Sequence, residues 1–398
     1  VSDLYGGQMR RTVKNPRIVR TILKLVIPVI LLAGIYIVPG MLTRGAADYY
    51  GKRIFPIISV PFNIISGSVQ MSLTENIVVV GGLALLIGVI VFIVRFFKKL
   101  LGRGGAIRYA VNTISILLII AVPFSIVFQL MHGIGFRRTP VVALMKFPGG
   151  QYKIEDYYEA LDWAYYNMTV ARAKLGEDYN GVAHLSDTFE STCEYANGLI
   201  NAFSKEYDIG LSPNYVRAKP VSFSKYWSLT RIVGMYDPFL GEANINTGYM
   251  DITSFAVTVC HELCHAKGFA SETDCNLIAV LACTMSNKPE FRYAGYYFIF
   301  WDLYRIIYDY VKHEGGSLPG YMNSSAMNQV YRDAAANQNY WKNIDEMWLS
   351  ELISEISEEA NDTFLKANGT EGVSTYQIPR DIFLDYYMIY VKPLDGEG

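Results

Sequence analysis

The sequence predicts a three-helix transmembrane anchor followed by an α+β, mostly helical domain. One small sheet lies just before a His-Glu-x-x-His helix. Three observations predict this. Apolar residues make up 51% of the 398-residue chain, and their excess is concentrated before about Phe136. Polar, tyrosine-rich sequence with helical periodicity follows. Short Val-, Tyr-, Phe- and Ile-rich stretches broken by Pro220, Gly234, Pro238 and Gly241 occur between Lys219 and Thr247, as strands with turns do. The expected division is an anchor over residues 1–136 and a soluble domain over residues 137–398. A net charge of -2 gives no reason to expect a nucleic-acid partner.

The anchor rests on three runs: Leu25 to Thr43, Ile77 to Val94 and Tyr109 to Met131. Each is close to the roughly 20 residues that cross a hydrocarbon core. The helices are expected at about 22–43, 76–96 and 109–132. Pro28 and Pro123 are tolerated in such helices. The first run ends in PGMLTR, without the small-residue pattern of a cleaved signal peptide. A fourth uncharged stretch, Ile54 to Thr74, is broken by Pro56, Pro61, Asn63 and Gly67. It reads as a loop at the outer interface or packed on the bundle.

Orientation follows from the basic residues near the helix ends. Arg10, Arg11, Lys14, Arg17 and Arg20 precede the first run. Arg95, Lys98, Lys99, Arg103 and Arg108 lie between the second and third with no acidic residue among them. The loop between the first and second has only Arg44, Lys52 and Arg53, opposed by Asp48 and Glu75. The expectation is an N-terminus inside and everything after about Gly133 outside. Arg137 and Arg138 weaken that bias without reversing it.

In the soluble part, Ile154 to Leu175 and Asp187 to Tyr207 read as amphipathic helices. Helical texture returns at Ile252 and continues through Asn276 to Met285, Tyr293 to Lys312, Ala326 to Asn339 and Ile344 to Lys366. Asn368 to Tyr376 reads as a loop. Cys193, Cys260, Cys264, Cys275 and Cys283 form neither CxxC pairs nor a disulfide framework. They read as buried thiols, although the compartment would permit a disulfide.

The chemistry is concentrated in TVCHELCHAKGFASETDCN, Thr258 to Asn276. On a helix, His261 and His265 are one turn apart on one face. Two imidazoles there suit a tetrahedral Zn²⁺, and Glu262 is placed to act as the general base on a metal-activated water. Gly268 lets the helix end. Ser271 can then cap a second helix carrying the third ligand in its first turn. Glu272 is the preferred ligand and Asp274 the reserve, since Asp274 with Ser271 also resembles a capping box. Asn276, one turn beyond Glu272, can hydrogen-bond a ligand histidine. A bare motif of this kind also arises by chance. The apolar flanks, the carboxylate after a glycine and the preceding strand favour a real site. His132, His184 and His313 read as surface or structural histidines. The segment FLGEANINTGYMD reads as an edge strand over the metal, with Glu242, Ala243 and Asn244 facing an extended peptide; the plainer reading is a hairpin arm. Tyr376, or a tyrosine near Arg292, is a candidate to stabilise an oxyanion, but thirty tyrosines give no basis for choosing one.

GEANIN (Gly241 to Asn246), HELCHAKGF followed by Glu272 and Asn276, RYAGY (Arg292 to Tyr296) and NDTFLKANGTEGVSTY (Asn361 to Tyr376) carry a resemblance. Together they resemble bacterial membrane proteins grouped as a domain of unknown function, with a helical N-terminal anchor and an HExxH domain. The family pattern usually has Glu where this chain has Asp274, and Ala where it has Cys275. Glu272 with Asn276 is also similar to the ExxAD element of gluzincin peptidases, with Asn in place of Asp. The resemblance implies a zincin-like fold and a peptidase in the bacterial cytoplasmic membrane. It implies no substrate.

The leading expectation is a membrane-anchored, zinc-dependent endopeptidase acting on peptide or protein substrates outside the cytoplasmic membrane, with the lipid bilayer as its other partner. The alternative is a zincin-fold membrane sensor or scaffold without turnover. An intramembrane protease fits less well. The apolar run before His261 is short and Lys267 follows at once, neither of which suits a helix buried in lipid.

Overall fold

The computed structural model describes residues 16–102 and 105–395. Arg10, Arg11, Lys14 and Arg103, which carry part of the expected charge bias, lie outside the described residues. In chain order the longer helices are α1 (Pro16–Gly40), α2 (Phe55–Gly67), α3 (Leu73–Leu101), α4 (Ala106–Met131), α5 (Ile154–Arg172), α6 (Phe189–Glu206), α7 (Phe255–Ala266), α8 (Glu272–Thr284), α9 (Pro289–Glu314), α10 (Ser325–Asp345) and α11 (Ser350–Ala367). Three strands lie between α6 and α7: β1 (Lys219–Pro220), β2 (Gly234–Asp237) and β3 (Glu242–Ile245).

The chain forms two compact units. One takes in the chain up to Met41 and residues 80–129; the other comprises Leu42–Val79 and everything from Leu130 onward. The first unit holds the bulk of α1, α3 and α4. Arg20–Gly40, Leu73–Leu101 and Ala106–Met131 are each long and apolar enough to cross a membrane. Within this unit Phe92 stacks on Tyr109, with ring centroids 5.5 Å apart.

The second unit is helical around one three-stranded sheet of order β1-β3-β2. β1 runs parallel to β3, and β2 runs antiparallel to it. α7 is buried along almost its whole length, with Thr258 the one residue of intermediate exposure. Such a helix needs apolar neighbours on every side. They come from the sheet and from α6, α8 and α9. α5 packs along α9, where the Trp163 and Tyr296 rings meet edge to face with centroids 5.1 Å apart. A buried network secures α5, α9 and α10. Asp333 accepts from the Arg172 guanidinium, from the Ala183 amide at 2.9 Å and from the Tyr293 hydroxyl at 2.8 Å. A buried charge is tolerable when its hydrogen bonds are satisfied in this way.

Three expectations change. Ile54 to Thr74 is not a loop: α2 occupies Phe55–Gly67. Pro56 stands where the π turn Tyr50–Ile54 gives way to α2, just after the Phe55 amide has bonded the Tyr50 carbonyl. Pro61 stands inside the helix. The expected boundary at residue 136 also shifts, because Leu42–Val79 and the last residues of α4 belong to the second unit. Finally, Glu242, Ala243 and Asn244 are not on an edge. β3 is the central strand, hydrogen-bonded on both sides. Glu242 is fully buried against Lys219 and accepts the Thr74 amide at 2.8 Å and the Leu73 amide at 3.2 Å. Its carboxylate thereby caps the N-terminus of α3. Asn244 accepts from Ser72 Oγ at 2.6 Å and donates to Thr74 Oγ1 at 3.1 Å. These side chains hold the fold and are unavailable to a substrate.

Candidate metal centre

The local sequence explains where the ligands sit. Asp251 precedes α7, and its carboxylate accepts from the Thr253 amide and hydroxyl and from Ser254 Oγ. Burial raises the Asp251 pKa even against these bonds. The helix stops because Gly268 adopts φ 105°, which side-chain-bearing residues rarely adopt. The Phe269 amide turns back to the Cys264 carbonyl at 3.2 Å. A Cβ on Gly268 would also lie 3.0 Å from the Phe55 ring. Lys267 is buried with its ammonium on the Asn214 and Ser212 carbonyls, so the charge that follows the motif is absorbed by the fold. Ser271 then caps α8, accepting from the Asp274 amide at 3.3 Å. Glu272 is delivered back over α7.

His261 Nε2 and His265 Nε2 are 3.0 Å apart. Glu272 Oε2 lies 3.1 Å from the first and 3.3 Å from the second. The three side chains are buried. Two ligand atoms at zinc-bonding distance in a tetrahedral site are separated by about 3.3 Å. The triangle therefore has the size of one face of a zinc coordination tetrahedron, and the donor set of two imidazoles and a carboxylate is one that zinc accepts. His265 Nδ1 lies 3.0 Å from the Phe269 carbonyl, which fixes the proton there and leaves Nε2 as the free donor. Cys275 Sγ sits 3.3 Å from the same Nδ1.

The electrostatics match a cation-holding site. Burial works against a charge on Glu272, but His265 and His261 outweigh it and hold the carboxyl well below its ordinary range. Burial likewise opposes a charge on His265, yet Glu272 beside it raises its pKa to about 9. Glu262 is buried, and burial raises its pKa. Among the described residues, Glu262 Oε2 and His261 Nδ1 have no hydrogen-bond partner.

Asp274 does not join the cluster. Its Oδ1 accepts the Val141 amide at 2.7 Å, which turns the carboxylate away. Asn276 does not bond a histidine; its Nδ2 donates to the Tyr376 carbonyl at 2.7 Å. The five cysteines are free and buried.

Other residues at the centre were not chosen from sequence. Gly234 opens β2 directly over Glu262, where a Cβ would come within 2.5 Å of Glu262 Oε1. The strand over Glu262 is thus β2, an edge of the sheet. His132 is buried with its ring centroid 5.6 Å from that of His265 and 5.7 Å from that of Tyr236. Burial, with His265 adding to it, lowers the His132 pKa to about 3. Its only signal in the sequence was its place immediately after the third apolar run. Burial raises the Tyr376 pKa, and Glu272 and Glu262 add to it. Its hydroxyl accepts from Asn361 Nδ2 at 3.3 Å. Thr273 Oγ1 bonds the Thr375 carbonyl, so the adjacent residues Thr375 and Tyr376 are both fastened to α8.

No curated protein and no solved structure matches the chain. A family model described as "Protein of unknown function (DUF3810)" matches residues 50–380, well over half of the chain. The match takes in β1 to β3, the His261–Glu272 centre and the Asn361 to Tyr376 segment, and on that extent the chain belongs to this family of unknown function.

Proposed function

We propose that this protein is a membrane-anchored zinc endopeptidase of zincin-like fold, with its catalytic unit outside the bacterial cytoplasmic membrane. The observation that carries the reading is the triangle of His261 Nε2, His265 Nε2 and Glu272 Oε2, with Glu262 beside it. These three side chains would hold the metal. When bound, zinc supplies Lewis acidity that makes water acidic and polarises a carbonyl.

The chain's own groups do the rest. Glu262, with a pKa raised by burial, takes the proton of the attacking water and delivers it to the departing amine. The Tyr376 hydroxyl, steadied by Asn361, donates to the oxygen on which negative charge develops. The outer edge of β2 offers main-chain groups to an extended peptide, and Gly234 lets that edge lie close to Glu262.

The charge bias supports an N-terminus inside. One opposing charge loses its weight. Arg138 is buried over the Phe269 ring and bonds the Gly268, Ile209 and Gly210 carbonyls, so it does not count as a membrane-flanking cation.

The test is metal analysis of the purified full chain, together with a peptide library. The expected result is one zinc per chain, lost in His261→Ala and Glu272→Ala. Glu262→Gln should retain zinc while hydrolysis falls by about 10²–10⁴-fold. A Gln variant as active as the parent ends the reading. Bound zinc with no hydrolysis by the parent would instead favour a sensor or scaffold.

A further inference from the structure

We propose that α2 is an interfacial helix whose outer face lies in the headgroup region of the lipid bilayer. The observation is a stripe. Ile57, Val60, Ile64 and Ile65 are 73%, 39%, 66% and 64% exposed. Pro61, also exposed, completes the spacing i, i+3, i+4, i+7, i+8 of one helix face. No charged residue occurs between Ile54 and Thr74. The opposite face is spent within its own unit: Phe55 packs on Gly268, Phe62 lies against Gly241, and the Pro56 carbonyl accepts from Asn214 at 2.6 Å.

A contiguous apolar stripe left in water marks an interaction site. Continuity with the membrane helices identifies the occupant. The segment from Leu42 to Ser72 runs at one end into α1 and at the other into α3, both long and apolar enough to span. The helical run continues back from α2 to Arg44, but Arg44, Asp48, Lys52 and Arg53 leave only residues 54–67 uncharged, about 20 Å of helix against a hydrocarbon core of about 30 Å, too short to span. A short helix between two spans, apolar on its outer face and packed against protein on its inner face, is satisfied lying in the interface plane. Arg53, exposed just before the stripe, can extend its guanidinium to the lipid phosphates. The inference does not rest on the peptidase reading.

The test uses the full chain in vesicles of phosphatidylcholine and phosphatidylglycerol. All five native thiols are buried, so a single Ile57→Cys or Ile64→Cys can carry an environment-sensitive fluorophore. Tyr179→Cys, at a position 97% exposed, is the water-facing control. Labels at 57 and 64 should shift to the blue, lose most of their emission to nitroxide-bearing lipids and resist iodide, while the label at 179 does the reverse. Iodide quenching at 57 and 64 equal to that at 179 would overturn the proposal. So would protection from both quenchers with chain-to-chain crosslinking of Ile57→Cys, because a second copy would then cover the face. Equal unfolding midpoints of the labelled variants and the parent confirm that the fold is intact.

Discussion

At Gly234 a single hydrogen decides whether the Glu262 carboxylate keeps its place. A methyl group there would meet Glu262 Oε1 at 2.5 Å, and the carboxylate would have to swing aside. Gly234→Ala should therefore keep its zinc and lose about 10²-fold in kcat, the usual cost of misplacing a catalytic group by an ångström. Equal kcat in the two proteins would show that Glu262 needs no such clearance. Tyr376 sits on the other side of the same chemistry. Tyr376→Phe should lower kcat by about 10²–10³-fold with KM little changed, as loss of an oxyanion donor does; a change confined to KM would assign the hydroxyl to substrate binding. These two residues also show where sequence reading stops. His261, His265 and Glu272 are related by short spacings on two consecutive helices, so local geometry foretells their meeting. Gly234, His132 and Tyr376 lie 28, 130 and 114 residues from Glu262. Long-range packing brings them together, and no local pattern encodes it.

At the scale of elements, β3 separates a strand's existence from its place in a sheet. Alternating apolar residues and flanking turns are local signals, and they marked the GEANIN segment as a strand. Its position between β1 and β2 depends on partners 9 and 25 residues away along the chain, in the pairs Met235↔Asn244 and Lys219↔Asn244. The consequence is testable at Glu242. It neutralises the buried Lys219 and caps α3, so Glu242→Ala leaves an unpaired buried ammonium. That should cost about 3–5 kcal/mol of stability, read as a lowered unfolding midpoint. A stable Glu242→Ala protein with a raised KM alone would restore the substrate-strand reading. α2 was hidden for a different reason. Two prolines, an asparagine and a glycine are each local breakers, and the packing of Phe55 and Phe62 overrides them.

At the scale of the whole molecule, the three candidate spans were legible because twenty uncharged residues have few alternative explanations. The division into units was not, because Leu42–Val79 reads as a connecting loop while acting as part of the second unit. A chain consisting of residues 137–398 alone should not fold. It would leave Gly268 without Phe55 and Glu242 without the Thr74 and Leu73 amides. Limited proteolysis should digest it throughout, and it should hold no zinc. A compact 137–398 fragment binding zinc as the full chain does would contradict this view.

The capping of α3 by Glu242 bears on the order of synthesis. Thr74 leaves the ribosome 168 residues before the carboxylate that caps it. Phe55 waits still longer for Gly268. During that interval a short apolar helix and the start of a membrane helix have only their immediate chain neighbours. The unit cannot close until Glu242 and Gly268 have been made, after all three apolar helices. Assembly of the His261–His265–Glu272 cluster is therefore a late event in biogenesis, and a chain stalled before Gly268 would lack Glu272 and the packing of Phe55 on Gly268.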